Sequence, residues 1–171
     1  MAIFKSTCSH SSSSDKDFII MVAQSSNDQL VLRRTYPASP EVVFQLWTTP
    51  ESIKRWLKPT NDFTHTVVEV DLKVGGSYQI GFKSAEGKVD VVSGQFSVIQ
   101  PPNKVVYTWT WDEPSEHAGV ETQVTVEFLD KDGGTELVLT HEKFTIAGMK
   151  ESHMGGWSGA LDQLAEVIGQ K

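Results

Sequence analysis

The chain has 171 residues, a formal net charge of -7 and a single cysteine, Cys8. That length suits one domain with one core, and the acidic balance argues against a nucleic-acid partner, which would call for a basic face. The lone cysteine excludes an intrachain disulfide or a thiolate metal cluster and fits a cytoplasmic, reducing setting. No stretch approaches the roughly 18 apolar residues of a membrane span, and Phe18–Ala23 is too short for the apolar core of a secretory signal.

Residues 1–27 carry Ser6, Ser9 and the run Ser11 to Ser14, a polar composition expected to form a disordered extension. Residues 28–171 are expected to form the folded domain. Leu30, Leu32, Arg33 and Arg34 open a first strand that ends at Pro37. Ser39, Pro40 and Glu41 then combine an N-cap acceptor, a proline at the first helical position and an acid at the positive end of the helix dipole. Thr49, Pro50 and Glu51 repeat that start. Val43, Leu46 and Trp47, then Ile53, Trp56 and Leu57, give each short helix one apolar face, expected to pack under an edge of the sheet.

The period then changes to two, with Tyr78, Ile80 and Phe82 alternating with Gln79, Gly81 and Lys83. Strands are predicted over Phe63–Leu72, Ser77–Lys83, Lys88–Gln100, Val105–Asp112, Val120–Leu129 and Thr135–Phe144, which makes seven with the first. Turn residues at Ala85–Gly87, Pro101–Asn103 and Lys131–Gly134 are those of tight hairpins, so neighbouring strands should be antiparallel. Gly94, inside a long strand, is read as a bulge or bend that lets the sheet curl. Met154, Trp157, Leu161, Leu164 and Ile168 form a helical stripe for the sheet to curl around. Gly155, Gly156 and Gly159 beside it signal either close backbone approach or room for a ligand. The expected fold is therefore α+β, a curved antiparallel sheet of about seven strands around a long C-terminal helix with a cavity between them.

Strand alternation places Val105, Tyr107, Trp109 and Trp111 on one face, an aromatic stripe suited to a flat or greasy ligand and equally to a plain core. Tyr78 and Phe96 on neighbouring strands join this candidate lining. Leu137, Leu139 and His141 share an inward face, which makes His141 a candidate for orienting a ligand or moving a proton, or for a simple buried imidazole satisfied by the backbone or a hydroxyl. From the helix, Met154, Trp157 and Leu161 complete the set. His153 stands next to the stripe, at the cavity mouth or in solvent. His65, His117, His141 and His153 show no metal-ligand spacing, and no nucleophile elbow, phosphate loop, dinucleotide fingerprint or H-E-x-x-H pair is present. No metal, no cofactor and no catalytic residue are assigned. Glu121, Glu127, Glu136 and Glu142 are expected on the solvated side of the sheet.

The segments RRTYPASPEVVFQLWTTPESIKRWL, LTHEKF and GGWSGALDQLAEVI resemble the family of activator of heat shock protein 90 ATPase homologues, within the START and Bet v 1-like superfamily (SRPBCC). The likeness runs from Gln29 to Gly169, and its most specific part is an early P-E-x-V-F helix paired with a late G-W-x-x-x-L-D-x-L helix. It implies the helix-grip fold. Function transfers less directly, because that scaffold serves lipid carriers, receptors, cyclases and co-chaperones. The family's eukaryotic co-chaperones carry a further large N-terminal domain, and only a short extension precedes Gln29, so chaperone activation is not the leading expectation. That leading expectation is a binding module for a hydrophobic small molecule or lipid. The alternatives are a chaperone-associated partner-binding domain and a polyketide cyclase or aromatase-like enzyme in which His141 moves a proton. A homodimer through a sheet edge or the two short helices is compatible with this layout.

Overall fold

A computed structural model describes residues 29–169; the serine-rich extension expected over residues 1–27 lies outside them. The elements are β1 (Gln29–Tyr36), α1 (Pro40–Thr48), α2 (Pro50–Trp56), β2 (Thr64–Val70), β3 (Ser77–Lys83), β4 (Val89–Gln100), β5 (Lys104–Trp111), β6 (Thr122–Lys131), β7 (Gly134–Glu142) and α3 (Met149–Gly169). The seven strands form one antiparallel sheet in the order β1-β7-β6-β5-β4-β3-β2. Each hairpin joins sheet neighbours, and the meander from β2 to β7 ends with β7 pairing with β1, so the first and last strands in sequence sit together and the sheet curls. This is the helix-grip fold.

Local chemistry sets the ends of these elements. Ser39 Oγ accepts from the Val42 N–H at 3.4 Å and caps α1. Thr49 is shared between two helices: its own N–H donates to Gln45 O at the end of α1, and its side chain makes no cap bond to α2, contrary to the repeated cap expected there. Between β6 and β7, Asp132 (φ 51°) and Gly133 (φ 82°) supply the two left-handed residues that a two-residue hairpin turn needs. Gly94 does not mark a bulge. The register slips instead between Phe96 and Val98. A Cβ at position 94 would collide with the Thr108 carbonyl and the Tyr78 ring, so the glycine is the gap through which Tyr78 reaches Thr108 O at 2.6 Å.

The core lies between the concave face of the sheet and the helices. The buried side of α3 is Met149, His153, Trp157, Leu161, Leu164 and Ile168, joined by Ala160. Met154 belongs to the other side and is 37% exposed, which corrects its place in the predicted stripe. The other four stripe residues are buried as expected, and the position before Trp157 on this side is taken by His153. α1 packs on β6 and β7, and α2 on α3 and β2, so the two short helices fill the grip as well as bordering it. Tyr36 ties β1 to α3 by donating to Leu161 O at 2.9 Å, and Trp56 ties α2 to α1 by donating to Leu46 O at 2.7 Å.

The three helix glycines divide by role. A Cβ at Gly159 would strike the Pro59 carbonyl, whereas at Gly155 and Gly156 it would meet nothing within 4 Å. Gly159→Ala should therefore cost about 1 to 3 kcal/mol through backbone displacement. Gly155→Ala should stabilise by about 0.5 to 1 kcal/mol through helix propensity alone. Urea unfolding of the two variants should give shifts of opposite sign, and equal shifts would refute the close approach at Pro59.

Candidate functional site

Strands β3, β4 and β5 and helix α3 meet over a cavity of about 290 Å³. β5 contributes Trp109 and Trp111 because their inward alternation continues to the end of the strand, and α3 contributes Trp157 one turn after His153. Phe82 from β3, and Leu57 and Pro59 from the segment after α2, close the apolar side. Gly156, whose missing side chain leaves open space, faces the same cavity. Three indoles in different orientations make the floor: Trp109 and Trp111 meet edge to face at 5.6 Å, and Trp109 and Trp157 are tilted at 5.1 Å.

Behind this floor two histidines hold the indoles. The Trp157 N–H donates to Nδ1 of His141 at 3.0 Å. That leaves the ring proton on Nε2, which donates to Thr122 Oγ1 at 2.7 Å, and the Thr122 hydroxyl donates in turn to Trp109 O at 2.9 Å. Similarly, the Trp111 N–H donates to Nε2 of His153 at 2.9 Å, so Nδ1 carries the proton and donates to Met149 O at 2.7 Å. The two imidazoles lie 5.0 Å apart, edge to face. Burial pushes the His141 pKa well below its ordinary value, and the repulsion that a proton on neighbouring His153 would exert lowers it further; burial likewise lowers His153. Both are neutral acceptors for indole N–H groups.

At one end the cavity is polar. Asp90, at the start of β4, shares the inward face of Val92 and Phe96; its Oδ2 lies 3.4 Å from Lys88 Nζ, while Oδ1 is shielded from solvent and has no partner. His117 comes from the loop between β5 and β6, which is pinned by Gly119 N donating to Trp111 O at 3.0 Å. Nε2 of His117 lies 3.5 Å from Glu116 Oε1, too poorly aligned for a hydrogen bond, Nδ1 has no partner among the described residues, and the ring lies 5.6 Å from that of His153. The Trp109 indole N–H is also unpartnered, although the residue is only 4% exposed. Unpaired buried polar atoms are uncommon and costly. Here Asp90, Trp109 and His117 all border one cavity.

Of the residues expected from sequence, Trp109, Trp111 and Trp157 line this cavity. His141 does not; it is fully buried one layer deeper with both nitrogens engaged, so it has no free atom with which to touch a ligand or move its proton. Tyr78, Phe96 and Tyr107 cluster at 5.4 to 5.7 Å in the core instead. Their hydroxyls are occupied too, Tyr107 accepting from the Trp47 indole at 3.1 Å and Tyr78 donating to Thr108 O. Leu161 is sealed in the core, and Met154 faces away. Asp90, His117 and Phe82 were not expected at the cavity, and His153 proves to be one of its buried supports. Among the described residues no group of three or more His, Cys, Asp or Glu is placed to hold a metal ion, and no helix is long and apolar enough to cross a membrane.

Known proteins agree with this architecture. A protein of Chromobacterium violaceum has a solved structure that superposes with a TM-score of 0.75 at 26% identity, covering 84% of this chain and 99% of that one. The AHSA1 protein from Silicibacter pomeroyi superposes with a TM-score of 0.72 at 25% identity, covering 82% of this chain and 97% of that one. The human activator of 90 kDa heat shock protein ATPase homolog 1 is 28% identical over 111 residues, which are 65% of this chain and 28% of the human protein. The mouse protein of that name is 26% identical over the same share. The chain thus matches little more than a quarter of the length of these curated relatives. The family model for activator of Hsp90 ATPase homolog 1-like protein matches residues 37–169, from before α1 to the end of α3, and the chain belongs to that family.

Proposed function

We propose that the protein binds a small, flat, mainly apolar molecule in the cavity between the sheet and α3, as a carrier, sensor or sequestering protein. The observation that carries this reading is the coincidence of a three-indole floor with unpartnered polar atoms around the same open space. Its volume, about 290 Å³, is at the lower end of the roughly 300 to 1,000 Å³ typical of ligand sites. A compound of one or two rings is therefore a better match than a two-chain lipid.

Three of the five tryptophans line the cavity, so occupancy should quench intrinsic fluorescence and raise the melting temperature by mass action. Gly156→Leu fills the open space from a helix position where leucine is favoured over glycine. The variant should fold at least as stably and lose both signals for every compound in a panel of small aromatics. Quenching that persists unchanged in Gly156→Leu would place the ligand elsewhere and refute the cavity.

A second reading comes from the curated relatives, whose printed name is that of an activator of a chaperone ATPase. In that role the domain would use its outer surface. A broad polar concavity there, bordered by Glu69, Gln79, Ser93, Gln95 and Thr110 on the outside of β2 to β5, is the surface for such a contact. Stimulation of Hsp90 ATPase activity that survives Gly156→Leu and fails in Gln95→Arg would favour this role over the cavity.

A further inference from the structure

The geometry points to a cationic amine as the polar group of the ligand. This inference rests on the proposed cavity and assigns the chemistry of its occupant. Asp90 lines the cavity from an inward strand position, and no donor among the described residues reaches its Oδ1, which a turn of the carboxyl group would bring to the cavity. An acceptor-only group in that state is completed by an N–H or O–H from outside the chain. Lys88 engages only the other oxygen, at 3.4 Å, and its own side chain is 62% exposed, so its charge is largely screened.

The surroundings decide between a charged and a neutral donor. Trp109, Trp111 and Trp157 present indoles in three orientations, and Phe82 stands 5.8 Å from Trp111, so several ring faces and edges surround a small volume. Aromatic faces attract organic cations, and the attraction grows when water is displaced. Glu116 adds a second carboxylate to the rim. An anion would meet Asp90, Glu116 and the negative faces of the indoles, and Lys88, the lysine in the lining, is already paired with Asp90. The chain's net charge of -7 favours approach of a cation as well. His117 turns Nε2 toward Glu116 at 3.5 Å, which leaves Nδ1, without a partner among the described residues, as the nitrogen to accept a second N–H of the same ammonium.

The test compares tryptamine, tryptophol and indole-3-acetate, which share an indole body and arms of similar length that end in an ammonium, a hydroxyl and a carboxylate. Calorimetric titration at neutral pH and low salt should rank them in that order. Tryptamine is expected to bind about tenfold or more tighter than indole-3-acetate, since part of the carboxylate-ammonium attraction is offset by desolvation. Asp90→Asn keeps the side-chain shape and should bring tryptamine down to the affinity of tryptophol while leaving tryptophol unchanged. If indole-3-acetate binds as well as tryptamine, the cationic assignment is wrong although the cavity still binds; if the amine preference survives Asp90→Asn, Asp90 is not the group that takes the ammonium and the inference drawn from it falls. If all three fail to bind the wild type and the broader aromatic panel also gives no quenching, the cavity reading and this assignment fall together.

Discussion

His141→Ala is expected to lower the stability of the domain by about 4 kcal/mol, close to the upper end for single substitutions. Two costs add. The imidazole is fully buried, so its removal opens a void beside Phe144 and Trp109, whose rings lie 4.6 and 5.8 Å away; buried large-to-small changes cost about 2 to 5 kcal/mol. It also leaves the Trp157 N–H without an acceptor and Thr122 Oγ1 without its donor, at about 1 to 3 kcal/mol for each buried group left unsatisfied. Partial relaxation keeps the total below the sum. A double-mutant cycle separates the terms, because in a Trp157→Phe background no indole N–H is left to orphan. There the further cost of His141→Ala should fall by about 1 kcal/mol or more. Equal costs in the two backgrounds, measured by urea unfolding, would show that the Trp157–His141 bond contributes nothing to stability.

The same network explains what could and could not be read from the sequence. The strands, hairpins and Trp157–Leu161–Leu164–Ile168 stripe were legible because each follows a period that burial imposes. Met154 was misplaced because the true stripe runs through His153, a polar residue that can be buried only because Met149 O and the Trp111 indole satisfy it, and neither partner is visible in a linear pattern. Asp90 left a signal that could have been used: it shares its parity with Val92 and Phe96, so an acid stood on the inward face of a strand. His117 left none. Its position depends on the conformation of the loop between β5 and β6, including Gly119 at φ 78° and the bridge from Trp111 to Ala118. His141 was correctly expected to be buried, but its role turned on which atoms meet its two nitrogens. An aromatic stripe likewise cannot announce where the cavity stops, and Tyr107 and Trp109 occupy one face of one strand with only the second bordering the open space.

Acidification should destabilise the domain through the two imidazoles behind the cavity floor. In the unfolded chain a histidine titrates near its ordinary value of about 6.5. In the folded domain burial holds His141 well below that value and His153 below it, so between the folded and unfolded values the unfolded chain binds more protons. The stability they contribute is therefore fully present above the unfolded value and is lost as pH falls from there toward the folded values. A histidine that stays neutral when folded gives up about 1.4 kcal/mol between pH 7.5 and 5.5, so the pair loses up to about 3 kcal/mol. The structural cause is specific: each imidazole uses one nitrogen to accept an indole N–H, and a proton placed there sets donor against donor at Trp157 or Trp111. Unfolding free energies at the two pH values should show this loss, and His153→Gln, which keeps an amide acceptor for Trp111, should reduce it by roughly the share of one histidine. A loss unchanged in His153→Gln would assign the titration to other groups. Since the same indoles form the floor of the cavity, ligand affinity should weaken over the same acidic range.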